Sequence, residues 1–170
     1  MGISCMNQTF SPGTLIRTHI LGTFDLEGKQ VKRLLEVQDE ADMTAGIPID
    51  ELKSSRFHRR WTATPDGAVY AAPEFYGYNI RVFDPQGATR MMINREYKTI
   101  RRSEEERETI RDLFAGGTRG VPNAVITVEE SYPDVASIDL GPDGLVWVRS
   151  SEGRWRAPDG AATGSRRPRG

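Results

Sequence analysis

The sequence predicts an all-β chain of antiparallel strands with one short helical insertion. Two segments, residues 61–72 and 138–149, each contain a β-rich run, a Pro-Asp-Gly turn and a second β-rich run. A single capped helical pattern lies between them. A lone hairpin of this size cannot bury its own apolar faces, so the repeated unit must stack on neighbouring strands.

The first strands are expected after an irregular lead-in over residues 1–13. A β-rich run over residues 15–25 has a face of alternate positions that carries Ile16, Ile20 and Phe24. The Asp-Leu-Glu-Gly segment at residues 25–28 is typical of a turn, because Asp bonds downstream backbone and Gly tolerates positive φ. Alternation resumes over residues 31–37, which predicts a hairpin with one buried and one wetter face.

A group of four strands is predicted after a long connection over residues 38–57, whose residues 50–55 favour a short helical turn. The strands are expected at residues 59–64, 68–72, 78–84 and 89–93. Four consecutive antiparallel strands in about 35 residues are the content of one β-propeller blade.

One helical insertion is predicted at about residues 103–116. Ser103 is a suitable N-cap, and Glu106 three residues later completes a capping box. A narrow apolar stripe at helical spacing follows, formed by Ile110, Leu113 and Phe114. Gly116 and Gly117 end the pattern. The insertion is expected to lie on the outside of the strands.

The remaining chain divides into a connection, the second repeat copy and a tail. Residues 119–137 contain one β-like segment, residues 124–128. Residues 151–170 contain five Arg, four Gly and two Pro with almost no apolar residues, which predicts a disordered basic tail. The predicted domain organisation is therefore an irregular lead-in over 1–13, blade-like strands over 14–150 and a disordered tail over 151–170.

The segment from Tyr78 to Gly87, Tyr-Asn-Ile-Arg-Val-Phe-Asp-Pro-Gln-Gly, resembles the blade motif of NHL-type proteins. The wider pattern is similar to bacterial six-bladed β-propellers of the NHL/TolB-like kind. In that group an Arg-Glu-Tyr run, here residues 95–97, precedes an acidic helical insertion. A blade with an Asp-Gly-x-Val-Trp-Val-Arg-like run, here residues 143–149, then resumes. The resemblance covers residues 14–150 and implies a propeller architecture.

This chain departs from the family in size. Six blades need on the order of 240–300 residues, whereas residues 14–150 hold two full blades at most. The sequence therefore predicts an incomplete propeller. Either the chain is a piece of a longer protein, or several copies of the chain assemble to close the ring. Without closure, terminal strands expose unpaired backbone groups, so self-association through open blade edges is an expected consequence.

Composition excludes several classes of function. The net charge of -1 gives the chain no overall positive potential that would attract nucleic acid or an anionic membrane surface. The single cysteine, Cys5, rules out an intrachain disulfide and a cysteine-based metal site. No run approaches the roughly 18 apolar residues of a membrane span. The first residues lack the pattern of a signal peptide, and the sequence leaves the compartment unassigned, although members of this group are often exported.

The candidate catalytic residues are better interpreted as structural ones. The two histidines, His19 and His58, lack the spacing of a zinc motif. Asp66, Asp84 and Asp143 each occupy a turn, where Asp serves backbone geometry. No nucleophile elbow, phosphate loop or dinucleotide fingerprint is present. The sequence therefore assigns no catalytic residue, no metal ligand and no cofactor.

Two groups of side chains are candidates for binding. The densest basic-aromatic cluster comprises Arg56, Phe57, His58, Arg59, Arg60 and Trp61. NHL-type propellers can bind RNA through such a face, but Trp61 occupies an inward strand position, so nucleic acid is not the expected partner. The second group is Tyr76, Tyr78 and Trp147, which could line a groove but more often pack between sheets.

Three functions remain open from the sequence and the resemblance. The first is a non-catalytic propeller scaffold that binds a protein or small-molecule ligand. The second is part of a metal-dependent propeller enzyme, such as a lyase or lactonase. The third is an NHL-type RNA-binding module. Fold alone does not choose among them.

Overall fold

The computed structural model describes residues 2–54, 56–119, 121 and 123–153. In that part of the chain the strands form four sheets, in the orders β1-β2-β3, β4-β9, β5-β6-β7-β8 and β10-β11. All pairings are antiparallel except β4-β9. The predicted all-β class with antiparallel sheets is therefore confirmed. The elements are β1 (Gly2–Ser11), β2 (Thr14–Phe24), β3 (Gln30–Asp42), β4 (Ile47–Asp50), α1 (Glu51–Ser54), β5 (Trp61–Ala63), β6 (Val69–Ala71), β7 (Tyr78–Phe83), β8 (Thr89–Arg95), α2 (Glu104–Gly117), β9 (Ala124–Thr127), β10 (Val135–Leu140) and β11 (Val146–Ser150).

The N-terminal segment differs from the irregular lead-in expected over residues 1–13. It forms β1, which pairs with β2 from Gly2↔Thr23 to Ser11↔Thr14. The side chains from Met6 to Ser11 are exposed. Because both faces are exposed over residues 6–11, this segment carries no apolar alternation by which the sequence could have predicted a strand.

The predicted hairpin of β2 and β3 is present, with a turn at residues 25–29. Asp25 makes the turn as expected: its Oδ1 accepts hydrogen bonds from the backbone of Glu27 and Lys29. The buried face of β2 carries the odd-numbered side chains, Leu15, Arg17, His19 and Leu21. On the face predicted to be buried, Ile20 is buried, whereas Ile16 and Phe24 are only partly buried. Because Arg17 and His19 on the odd-numbered face are polar, the sequence does not show an apolar alternation at the odd-numbered positions.

The long connection expected over residues 38–57 is shorter than predicted. Strand β3 continues to Asp42, and β4 pairs in parallel with β9 from Ile47↔Ala124 to Asp50↔Thr127. The short helical turn is confirmed as α1. A strand of four residues is too short for a periodic signal, and its partner lies far along the chain.

The four predicted strands form a continuous antiparallel sheet, β5-β6-β7-β8. Thr64 and Ala68 close the first turn through a backbone hydrogen bond of 2.9 Å, and Asp84 and Ala88 close the last in the same way. Gly67 has a φ of +86° and Gly144 a φ of +77°, so both Pro-Asp-Gly turns need glycine at this position.

The second repeat copy forms the hairpin of β10 and β11, which packs against the four-stranded sheet. The backbone N–H of Ile138 donates to the carbonyl of Arg59 at 2.9 Å, beside the start of β5. One apolar cluster joins this hairpin to the sheet and consists of Ala72, Ile80, Val135 and Ile138. A second cluster joins β2 to the sheet's other side and consists of Leu21, Phe57, Val69, Ala71 and Phe83.

Helix α2 begins with the predicted capping box. The Glu106 backbone N–H donates to Ser103 Oγ, and the Ser103 backbone N–H donates to Glu106 Oε2. No residue of α2 is buried, as expected of an external insertion. No helix among the described residues has the length and apolar character to cross a membrane. The predicted basic tail lies outside the described residues from residue 154 onward.

Candidate functional site

A layer of buried ionisable side chains is the main polar feature of the interior. Each is less than a tenth exposed, although charged residues rarely reach that burial without partners. They lie on β2, on α1 and in the segments before β5 and β10. The layer comprises Arg17, His19, Glu51, Arg60 and Asp134.

The first part of this layer lies on the buried face of β2. Arg56 donates two hydrogen bonds to the Asp39 carboxylate, at 2.9 and 2.6 Å. His19 Nε2 lies 3.9 Å from Asp39 Oδ2, which is too long for a hydrogen bond. Arg17 Nη2 donates to the carbonyl of Pro48. Asp39 is thus the anionic centre of this group.

Burial and charge shift the pKa values of these groups in defined directions. Burial lowers the pKa of His19, and the nearby Arg56 and Arg17 lower it further, against the attraction of Asp39. Burial also lowers the pKa of Arg17. Burial by itself would raise the pKa of Asp39, but the hydrogen bonds and charge of Arg56 outweigh it, so this pKa lies below its ordinary value.

We expect mild acid to destabilise the fold through His19. Its folded-state pKa lies below the unfolded value near 6.5, so the fold favours the neutral ring. The stability that comes from keeping this ring neutral is fully present above pH about 6.5. It is lost as the pH falls through the folded-state pKa, and the free energy of unfolding then falls by at most about 1.4 kcal/mol per pH unit. Urea melts between neutral and weakly acidic pH measure this slope. His19→Gln should flatten it, whereas His58→Gln, at an exposed position, should not.

The second part of the layer joins α1 to the segments on either side of α2. Arg102 donates to both oxygens of Glu51, at 2.6 and 2.7 Å, and to the carbonyl of Glu129 at 3.0 Å. The backbone N–H of Glu129 donates to Glu51 at 2.9 Å. The Arg102 guanidinium lies 4.7 Å from the centre of the Tyr132 ring. One ion pair therefore holds three separate chain segments together.

The basic-aromatic cluster predicted from the sequence is not a continuous basic surface. Arg56 is bound to Asp39, and Arg60 is 3% exposed and donates to the carbonyls of Glu74 and Arg56. Burial lowers the pKa of Arg60 to about 10. Phe57 packs in the core and Trp61 packs against it, as the core-packing interpretation of Trp61 expects; only His58 and Arg59 are exposed.

The three turn aspartates serve their turns. Asp66 accepts from the Thr64 hydroxyl, Asp84 from the Ala88 backbone N–H and Asp143 from the Leu145 backbone N–H. Each belongs to a different hairpin. Within the part of the chain that the structure describes, no three His, Cys, Asp or Glu side chains come close enough to hold a metal ion.

The three candidate groove aromatics have different surroundings. The Tyr76 hydroxyl donates to Glu129 Oε2 at 2.5 Å, and burial, together with this bond, raises the pKa of Tyr76. Tyr78 packs against the apolar cluster around Ile138. Trp147, on β11, is 60% exposed. Tyr78 therefore fits the packing interpretation, and Trp147 does not.

A shallow cleft of about 480 Å³ lies beside the layer, lined by residues 98–101 and Glu152. Its Thr99 hydroxyl is 3.3 Å from the buried Asp134 carboxylate, which also accepts from the Gly77 backbone N–H at 2.5 Å. Glu152 lies 3.6 Å from Arg95. The cleft thus borders β8, the last strand of the four-stranded sheet.

The sequence predicts β8 as a strand but does not indicate that its apolar side chains are exposed. All seven of its side chains are exposed, including Met91, Met92 and Ile93 at 47%, 52% and 37%. Met91 and Ile93 lie opposite Val82 and Ile80 on β7, and Met92 lies opposite Arg81. The three consecutive apolar residues at the end of the predicted four-strand group could have indicated a binding surface.

Comparison with protein families, characterised proteins and solved structures gives no match to this chain.

Proposed function

We propose that the chain is a non-catalytic, propeller-type binding scaffold that holds an extended protein segment along β8. The observation that carries this proposal is that all seven side chains of β8 are exposed, among them Met91, Met92 and Ile93, and that β8 is the last strand of its sheet. Unpaired edge strands bind extended peptides by main-chain hydrogen bonds, while alternate side chains supply specificity. Methionine adapts to varied apolar partners.

The propeller-type arrangement is supported by the order of the strands. The sheet β5-β6-β7-β8 is an up-and-down meander, and the next repeat copy begins beside its first strand, where Ile138 bonds to Arg59. The cluster around Ile80 and Ile138 lies between the two sheets. Face-to-face packing of successive meanders is how propeller blades stack. In such a blade, β8 is the outer strand.

Binding rather than catalysis is supported by how the charged interior is used. Glu51 accepts three hydrogen bonds and Asp39 two, all from groups of this chain. These carboxylates hold segments together, and Glu51 has most of its hydrogen-bonding capacity occupied within this chain. The exposed apolar groups of β8 have no comparable internal role.

Peptide display on the immobilised full-length chain tests the proposal. We expect enrichment of extended peptides with alternating apolar residues. Their affinity for the Met92→Lys variant should be about tenfold or more weaker. The charged lysine would have to lose its hydration to occupy the apolar contact that Met92 makes with the peptide. Leu113→Lys is the matched control, since Leu113 is 75% exposed on α2.

Two outcomes would contradict the proposal. Either no peptide is enriched, or the enriched peptides bind Met92→Lys and a Met91→Lys/Ile93→Lys double variant as tightly as the unchanged protein. The two variants test the two faces of β8 separately, because Met92 points opposite to its neighbours.

A further inference from the structure

We infer that β11 is a self-association edge, at which a second copy of this chain adds its own β11 in antiparallel orientation. This edge is separate from β8. The inference begins with the internal repeat, whose Pro-Asp-Gly turns align residues 65–67 with residues 142–144. The alignment makes β11 the counterpart of β6.

The two counterpart strands have unequal surroundings. Strand β6 is flanked by β5 and β7, whereas β11 pairs only with β10 among the described residues. Ala68 is 4% exposed, but its counterpart Leu145 is 62% exposed. Tyr70 is partly buried, but its counterpart Trp147 is 60% exposed. In the described part of the chain, the position that β7 takes beside β6 has no equivalent beside β11.

The backbone of β11 is oriented to accept a strand there. Gly141 N–H donates to the Leu145 carbonyl at 2.8 Å, which closes the hairpin. Residues that exchange bonds with the neighbouring strand alternate in an antiparallel pair. The next such pair is Asp139↔Trp147, so the N–H and C=O groups of Val146 and Val148 point away from β10. They form an unpaired edge in the described structure.

The side chains of β11 make a second copy a suitable occupant. A two-fold axis at Val148 places Val148 opposite its own copy and Trp147 opposite Arg149 of the second copy. Both Trp147 and Arg149 are exposed and share the outer face of the strand. Each arginine can then lie over a tryptophan ring, and no like charges oppose each other. The pairing therefore adds a contact between a cation and an aromatic ring to the backbone hydrogen bonds.

Light scattering on the full-length chain over a concentration series tests this inference. We expect a monomer–dimer equilibrium whose dissociation constant rises about tenfold or more in Trp147→Lys, because a lysine then faces Arg149 of the second copy. The dimer should persist in Leu113→Lys and in Met92→Lys, which change exposed apolar residues elsewhere. A dimer lost in Met92→Lys but kept in Trp147→Lys would overturn the β11 assignment.

A cysteine variant tests the register without relying on affinity. Val148→Cys in a Cys5→Ser background should form a disulfide-linked dimer under mild oxidation. Residues that exchange bonds across antiparallel strands have Cα atoms about 5.5 Å apart, within the range that a disulfide spans. Thr109→Cys, exposed on α2, is the control and should not crosslink.

The inference fails if the full-length chain stays monomeric at every soluble concentration and Val148→Cys does not crosslink. Because the β8 display experiment uses other residues, its result does not depend on this one.

Discussion

Replacing Glu51 with alanine lowers the free energy of unfolding by about 3–5 kcal/mol, the cost of leaving one partner of a buried ion pair uncompensated. The Arg102 side chain is 3% exposed, so its buried charge loses its carboxylate partner when Glu51 is removed. The backbone N–H of Glu129 loses its acceptor in the same variant. Urea unfolding monitored by circular dichroism measures the change.

The matched control for Glu51 is another glutamate in an ion pair with arginine. Glu108 contacts Arg111 on α2, and both side chains are well exposed. Glu108→Ala should change stability by no more than about 0.5 kcal/mol, because exposed pairs gain little. Equal losses in the two variants would mean that the Glu51 pair is accessible to solvent, and the charged layer would not be a structural core.

Leu21→Ala should lower the free energy of unfolding by about 2–5 kcal/mol, the range for deleting a buried leucine side chain. Leu21 is fully buried on β2 and packs with Phe57, Val69, Ala71 and Phe83. The truncation leaves a cavity between the three-stranded and four-stranded sheets. Near-UV circular dichroism should also weaken, since Trp61 packs against this cluster.

Val31→Ala on β3 is the control, because it also shortens an aliphatic side chain but leaves no internal cavity. Val31 is 61% exposed, so its truncation should cost less than about 0.5 kcal/mol. If Leu21→Ala unfolds at the same urea concentration as the unchanged protein, then the two sheets do not share this core.

Much of the local structure follows from the sequence because the signals are local. The Pro-Asp-Gly turns, the Ser103–Glu106 capping box and the alternation from Tyr78 onward each depend on neighbouring residues, and the structure has all three. The pairing of β4 with β9 could not be predicted in this way. It depends on two four-residue segments far apart in the chain, and neither carries a periodic pattern.

The charged interior was also beyond sequence reasoning. Arg17 and His19 occupy inward positions of β2, where apolar residues are the usual expectation. Arg17 donates to the carbonyl of Pro48, and Asp39, which is paired with Arg56, lies close to His19; all three of these residues lie on segments other than β2. The exposure of β8 and β11 was similarly invisible, because an apolar strand sequence does not reveal whether a neighbouring strand covers it.

The parallel pair of β4 and β9 has a consequence for the order of folding. It closes a loop that contains the whole four-stranded sheet and α2, so its formation carries a large loss of chain entropy. The meander from β5 to β8 involves only short-range closures and can form first. The elements that depend on this pair should then assemble late, after the four-stranded sheet; they are β4, α1 and the Glu51–Arg102 ion pair. Substitutions in these late elements should accelerate unfolding more than they slow refolding.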